Sequence, residues 1–368
     1  MKSPHDVSVL LVKLLLRPIT GRAAYLIVVF GLCLISPSLT ADLLNLLLAK
    51  INVGQLPEYD SMPILGIVIF LVGTSLIVIN HFYAPWHKHK EVIGIRHNSL
   101  GAFPQEDVRK DLPLLQRLES YREIDVDHSD SYTHGVLTDH HSAIRKLECV
   151  PQQLSGFLGS SPDSSIAYYG LPHIPLAFYL GYLLSDSKYR VDLYDFNNES
   201  GRWNQLSGIA SSIEIDSTLD QMPSSDDSGD IIVAIGISYR VHTSEITELG
   251  LPNILTKVEI NARHPMRQLI VNHHQVDQVC DEFRLLLEKI KSHFPNRQRI
   301  HVFYAGPVSL CFALGRCISE RIDPEIIVYN YSSKSKPRYS WSLSMNSSHQ
   351  ATAAFNLIGP TGCEHAPI

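Results

Sequence analysis

Arg202-Trp203 and Arg338-Tyr339 stand 136 positions apart. Each pair follows a β-rich run that ends in a tyrosine and a hydrogen-bonding side chain, Tyr194-Asp195 in one case and Tyr329-Asn330 in the other. Guanidinium and ammonium groups bind phosphate oxygens, and aromatic rings stack on bases. A set joining Arg202 and Trp203 with Lys334, Lys336, Arg338 and Tyr339 therefore suits phosphates linked to bases. Upstream of each set is a turn that opens a helix, with Tyr169, Gly170, Pro172 and His173 in the first and Tyr304, Gly306 and Pro307 in the second. Helix amino ends present unpaired N–H groups and a positive dipole to anions. Each residue also has a plainer reading: Tyr194 and Tyr329 as packing, Arg202 and Arg338 as surface charge, His173 as a helix cap. Recurrence at matching places favours binding.

The elements that must position these groups recur as well. "SIAYYGLPHIPLAFYLGY", from Ser165, and "RIHVFYAGPVSLCFALGR", from Arg299, align Leu176, Phe178, Leu180 and Gly181 with Leu310, Phe312, Leu314 and Gly315 at a constant offset of 134. A further β-rich run follows each, "YRVDLYD" and "PEIIVYNY". The pattern predicts strand, tight turn, helix and strand twice over, the right-handed unit of a parallel sheet, and so two Rossmann-like halves of an α/β fold. Ligands of such sheets bind beyond the carboxyl ends of the strands. Leu176, Phe178, Leu310 and Phe312 are predicted core, and Gly181 and Gly315 are predicted to let each helix approach its sheet.

Neither turn has the spaced glycines of GxGxxG or the Lys-Ser/Thr of a P-loop, which disfavours dinucleotide and triphosphate sites. The chain also lacks GxSxG, HExxH and CxxC. These motifs point to a binding protein without a cofactor. A membrane-tethered nucleotide-processing enzyme, with His173 and Asp195 as acid and base, is the alternative. His128, His134, His140 and His141 show no recognised zinc spacing and read as surface histidines. The six cysteines read as thiols, and a net charge of −6 argues against binding of long nucleic acid.

Before Trp86 the chain is apolar. Met62 to Ile79 carries no charge over 18 residues, as a membrane helix requires, and Phe82, Tyr83 and Trp86 supply an aromatic belt. Ala23 to Ile51 is interrupted by Pro37 and Asp42, so it reads either as one kinked span or as a span followed by a short helix. Lys13, Arg17 and Arg22 before this hairpin and Lys88 and Lys90 after it put both termini in the cytoplasm by the positive-inside rule. Gly66 and Gly73 fall on one helix face and suit close packing, with Asp42 turned towards a water-filled centre. The expected order is an amphipathic segment at 1–22, two transmembrane helices at 23–86 and a helical connector at 87–160. A sensor then occupies 161–346, with halves of about 161–262 and 263–346, before a tail at 347–368. Helices are expected in the connector around Glu106 to Arg122 and Thr138 to Phe157.

Over about Pro151 to Ser344, on "YYGLPHIPLAFYLGYLL", "HVFYAGPVSLCFALGR" and "IIVYNY", the chain resembles the SAVED domain, a fusion of two CARF-like Rossmann modules. The resemblance implies a sensor of a cyclic di- or trinucleotide in bacterial antiphage defence. With the two apolar spans, it further implies a transmembrane effector of a CBASS system in the bacterial inner membrane. Such a protein works with a CD-NTase that makes the signal, forms a homo-oligomer on activation and acts on the lipid bilayer.

Overall fold

The structure is a computed structural model. It describes residues 21–35, 63–78 and 91–364, the last without 101–107, 114–115, 117–118, 134–135, 161–162, 186–188, 210, 219–220, 222, 348–351 and 360–361. The chain forms two compact units, one of Met1–Glu91 with Pro113–Ser120, the other of Val92–Leu112 with Tyr121–Ile368.

In the first unit, helices α1 (Gly21–Ile35) and α2 (Pro63–Val78) pack against one another. α1 is apolar after Arg22 and α2 is apolar on every side, and Pro63 opens α2 at a position where its missing N–H leaves nothing unpaired. Glycine sets how near they come. A Cβ on Gly31 would lie 2.6 Å from the Phe70 nitrogen, one on Gly66 2.7 Å from that of Ile35, and one on Gly73 2.9 Å from that of Val28. These pairs run in opposite order along the two segments, so the helices are antiparallel. Tyr25, Leu26, Phe30, Ile64 and Leu71 are left exposed. The described helices have 15 and 16 residues, or about 22 and 24 Å at ~1.5 Å per residue. Among the described residues no helix is long and apolar enough to cross a membrane, so the expected complete spans have no support there. Asp42 and the segment before Thr20 lie outside the described residues.

The second unit contains two mixed sheets and an isolated hairpin. The first sheet has the order β2-β1-β5-β6-β7, from β1 (Glu91–Asn98), β2 (Ser120–Asp127), β5 (Ser165–Leu171), β6 (Val191–Asn197) and β7 (Arg202–Gln205). The hairpin is β3 (Tyr132–Thr133) with β4 (Val136–Leu137). The second sheet has the order β15-β14-β13-β12-β11-β9-β10-β8. Its strands are β8 (Ile215–Ser217), β9 (Gly229–Gly236), β10 (Ile254–Ala262), β11 (Arg297–Ala305), β12 (Glu325–Tyr331), β13 (Tyr339–Met345), β14 (Ala354–Gly359) and β15 (Gly362–Glu364). The helices are α3 (His140–Glu148), α4 (Val150–Ser160), α5 (Ile174–Leu183), α6 (Thr243–Thr247), α7 (His273–His293) and α8 (Val308–Gly315).

The duplicated unit is visible in the pairing. β1, β5 and β6 are parallel with β7 antiparallel at the edge, and β9, β11 and β12 are parallel with β13 antiparallel beside them. Central strands such as "GDIIVAIG" are buried throughout, as parallel strands covered on both faces must be. Helices α5 and α8 are apolar all round because each is enclosed. They pack on one another, α8 also meets β5 and β6, and α5 meets β12 and β13. Each helix thus fills the space over the opposite half's sheet, and one continuous core joins the two. Gly181 and Gly315 serve this crossing, not a helix-to-sheet approach: a Cβ on either would lie 2.0 Å from the carbonyl oxygen of Phe312 or Phe178.

Three boundaries differ from expectation. The connector supplies β1 and β2 to the first sheet, and a 3-10 turn at Val108–Lys110 stands where a helix from Glu106 was expected. The second sheet begins at Ile215, since β8, β9 and β10 belong to it. The tail contributes β14 and β15.

Candidate functional site

The site begins with the two helix amino ends. Cys311 on the first turn of α8 directs its thiol to the carbonyl of Ile174 on the first turn of α5, 3.4 Å away, while Gly181 and Gly315 meet the opposite helix further along. The helices therefore run in the same direction, and their amino ends adjoin. The carboxyl ends of β5, β6, β11 and β12 lie around them, the position where α/β sheets bind ligands.

On the first side His173 is the N-cap residue of α5. Its side chain does not cap the helix. Its backbone N–H donates to Ser99 Oγ at 2.7 Å, and the same hydroxyl lies 2.6 Å from His173 Nδ1. Tyr132 stacks on the imidazole at 4.5 Å, and Trp341, from β13 of the other half, stands 6.0 Å away. Behind this group Nε2 atoms of His97 and His128 are 3.2 Å apart, and His97 Nδ1 is 3.2 Å from the Tyr168 hydroxyl. Burial pulls the pKa of His173 and of His128 down to about 4 and that of His97 well below its ordinary value, so the cluster is uncharged at neutral pH. His128 is thus a buried residue and not a surface one. Among the described residues no group of three or more His, Cys, Asp or Glu side chains is placed to hold a metal ion.

On the second side Pro307 is the N-cap residue of α8. Asp195, from the first half, accepts a bond from Ser309 Oγ at 2.7 Å and one from the Ser309 backbone N–H at 3.4 Å. A carboxylate at a helix amino end answers the dipole, yet burial prevails over the Ser309 bonds and raises its pKa to about 6. The residue 134 places before Ser309 is Pro175, which has no N–H to give, so the capping exists on one side only. Asn330 is buried in β12.

The aromatic residues divide by the two-residue period of a strand. Tyr168 points inward and stacks on Phe312 at 4.0 Å. Tyr169, Tyr194 and Trp203 belong to a separate cluster with Val92, Val108 and Leu112 on the other face. There Tyr169 donates to Glu123 Oε2 at 2.5 Å and the Trp203 backbone N–H to Asp111 Oδ2 at 2.9 Å. Tyr329 and Tyr339 are likewise buried with Phe303, and the Tyr329 hydroxyl is 2.8 Å from His301 Nδ1. Tyr304 is buried and donates to the Pro307 carbonyl at 2.8 Å. None of these rings stands open for a base to stack on. Gly170 lets β5 run beside β1, since a Cβ would lie 1.9 Å from the His97 carbonyl, and Pro172 is buried beyond it. A Cβ on Gly306 would strike the Tyr304 hydroxyl at 2.4 Å.

The predicted cations lie differently. Arg202, which opens β7, is exposed, as are Lys334 and Lys336 on the segment that leaves β12, where Arg338 is half-buried. Other cations cluster after β9 and β10. Arg240 donates to the Arg263 carbonyl at 3.4 Å, Arg263 pairs with Glu214 and Asp216, and Arg267 bonds and overlies Tyr239. Asn197 Nδ2 reaches Gln268 Oε1 at 3.4 Å and so ties the turn after β6 to this loop. Sequence reading missed Ser99, Tyr132, Trp341 and the Arg240–Arg267 group. Only the β-rich "EVIGIRHN" ahead of Ser99 could have signalled a strand there.

Two fused α/β modules with paired helix amino ends at one rim define a two-lobed α/β architecture. The sequence profile of the SAVED family, the SMODS-associated and fused to various effectors sensor domain, matches residues 150–345, more than half of the chain, and the protein belongs to that family. No curated protein matches it. Among solved structures it is similar to the Acinetobacter baumannii Cap4 SAVED/CARF-domain containing receptor with the cyclic trinucleotide 2'3'3'-cAAA, at 13% identity, TM-score 0.43, and 77% coverage of this chain and 61% of the other. The Moraxella osloensis Cap4 receptor gives 14%, 0.42, 74% and 56%. The chain spans about three fifths of the length of these receptors.

Proposed function

We propose that the protein is a membrane-anchored CBASS effector. It binds a cyclic di- or trinucleotide made by a CD-NTase, oligomerises and disrupts the inner membrane, ending the infected cell. The observation that carries this reading is the side-by-side placement of the amino ends of α5 and α8, related by the 134-residue offset. A cyclic oligonucleotide carries its phosphates around a ring, and a cradle with equivalent halves meets them from two sides. Arg202 from one half and Lys334, Lys336 and Arg338 from the other would supply cations at its rim, and the Asn197–Gln268 bond ties the loop carrying Arg267 to the turn before Arg202. The neutral His173 favours hydrogen bonding to a base or sugar over ion pairing there.

The apolar pair α1 and α2 supports the membrane end of the proposal. Its outward side chains are exposed hydrocarbon, and glycine contacts hold the two helices together. Activation would follow from ligand favouring the assembled state in which it makes more contacts. The test is a thermal-shift screen of the detergent-solubilised full chain against cyclic di- and trinucleotides, with linear dinucleotides as controls. A saturable rise for one ring is expected. Equal response to linear and cyclic compounds sinks the reading.

A further inference from the structure

Among the described residues Cys33, Cys149, Cys280, Cys311 and Cys317 are free thiols, and two of them meet. Cys280 is on the buried face of α7, and Cys317 closes the turn that ends α8, its N–H donating to the Leu314 carbonyl at 3.0 Å. Both pack into the core shared by the two halves, and their side chains are hydrogen-bonded to one another. The Cys317 thiol itself donates to the Ala313 carbonyl at 3.4 Å, so its sulfur is left to accept the bond from Cys280.

This bond makes the two sulfurs unequal. It holds the Cys317 thiol below its ordinary range against the effect of burial, with Arg284 and Arg316 acting in the same sense and Asp281 opposing them. The same bond and burial hold Cys280 well above its own range, where Arg284 lowers and Asp277 raises it. The carboxyl end of α8 disfavours an anion at Cys317, and the two guanidiniums offset that. Cys317 is half-buried and Cys280 is buried, so the sulfur that loses its proton more readily is also the one solvent reaches. Cys311 is the contrast: it is wholly buried, its thiol is tied to the Ile174 carbonyl, and burial pushes it up. A reachable thiolate beside a protonated second thiol is chemically suited to reversible oxidation. We propose that Cys317 and Cys280 are a dithiol pair oxidised by hydroperoxides, Cys317 being the attacking sulfur and Cys280 the resolving one.

The Cys317 thiolate attacks one oxygen of the hydroperoxide, the O–O bond breaks, and the departing oxygen takes up a proton, leaving Cys317 as a sulfenic acid. The Cys280 sulfur then displaces hydroxide from Cys317, its own proton leaves with that hydroxide as water, and the S–S bond forms. The two thiols lose two electrons and the hydroperoxide gains them; a thiol reductant reverses the change. The disulfide ties the middle of α7 to the carboxyl end of α8, and its formation does not depend on the ligand of the cradle.

The test is titration of the reduced full chain in detergent with hydrogen peroxide, followed by alkylation and peptide mapping. The expected product joins the peptides of Cys280 and Cys317, disappears with dithiothreitol, and forms at least about tenfold faster than the exposed Cys149 is oxidised. In Cys280→Ala the sulfenic acid should persist on Cys317 and be trapped by dimedone. In Cys317→Ser neither the disulfide nor a dimedone adduct on Cys280 should form. Cys317 is half-buried, so its variant and the wild-type map decide the matter even if Cys280→Ala fails to fold. Absence of the Cys280–Cys317 link in the folded chain, oxidation of Cys149 first, or a dimedone adduct on Cys280 in Cys317→Ser overturns the proposal.

Discussion

A Cβ placed on Gly181 would stand 2.0 Å from the carbonyl oxygen of Phe312, and the same relation holds between Gly315 and Phe178, with Gly315 and Phe312 each 134 residues after Gly181 and Phe178. The two halves thus touch backbone to backbone at equivalent points, and hydrogen is the only substituent that fits. Gly181→Ala and Gly315→Ala should each lower stability in chemical denaturation by roughly 1–3 kcal/mol, the ordinary cost of overpacking. Gly159→Ala, where a Cβ meets nothing, is the control and should cost nothing. Equal effects at all three positions would refute the close approach.

The buried titratable groups predict opposite responses to acid. For His97, His128 and His173 the folded pKa is depressed, so the unfolded chain takes up protons first as pH falls below about 6.5. Their contribution to stability is complete above that value and is lost on the way down, by about pH 4 for His128 and His173. Asp195 is raised to about 6, so the folded state holds its proton longer and stability falls as pH rises from about 4 to 6. Three histidines outweigh one carboxyl group, and the melting temperature should fall between pH 7 and pH 4.5. Asp195→Asn should steepen that fall by removing the opposing group. An unchanged or shallower acid limb in the variant would contradict the burial assigned to Asp195.

The repeated strand, helix and strand were legible because they are local. "YYGLPHIPLAFYLGY" carries its own turn, apolar run and glycine, and these alone mark β5 and α5. What surrounds His173 was not legible. Ser99 lies 74 residues away and arrives only because β1 pairs in parallel with β5, while Trp341 comes from the far half. Period two also explains the misplaced tyrosines. Adjacent residues of a strand face opposite ways, and the composition of "YY" does not say which of Tyr168 and Tyr169 turns to the helices. Parallel strands buried on both faces remove the polar alternation that would have decided it.

Binding variants separate the cradle from the aromatic face. Arg202→Ala and Arg338→Ala should each weaken the correct cyclic nucleotide by roughly 1.5–3 kcal/mol if they make charge-assisted phosphate bonds. Tyr169→Phe removes the bond to Glu123 on the covered face and should cost about 1 kcal/mol of stability with affinity unchanged. A folded Arg202→Ala/Arg338→Ala double variant that binds like the wild type would exclude these residues as ligand contacts.

The last expectation concerns the apolar pair. Gly73 lies against the backbone of Val28, and a side chain there would drive α1 and α2 apart, whereas exposed Val72 on the next position has room to change. Gly73→Leu should therefore reduce dye leakage triggered by the cyclic nucleotide from vesicles containing the protein, and Val72→Leu should not. Ligand affinity should stay at the wild-type value in both, because the substitutions lie in a unit separate from the cradle. Wild-type leakage from Gly73→Leu would mean that tight pairing of these helices plays no part in opening the bilayer. Lost affinity would instead show that the variant is misfolded or that the two units are coupled before any ligand arrives.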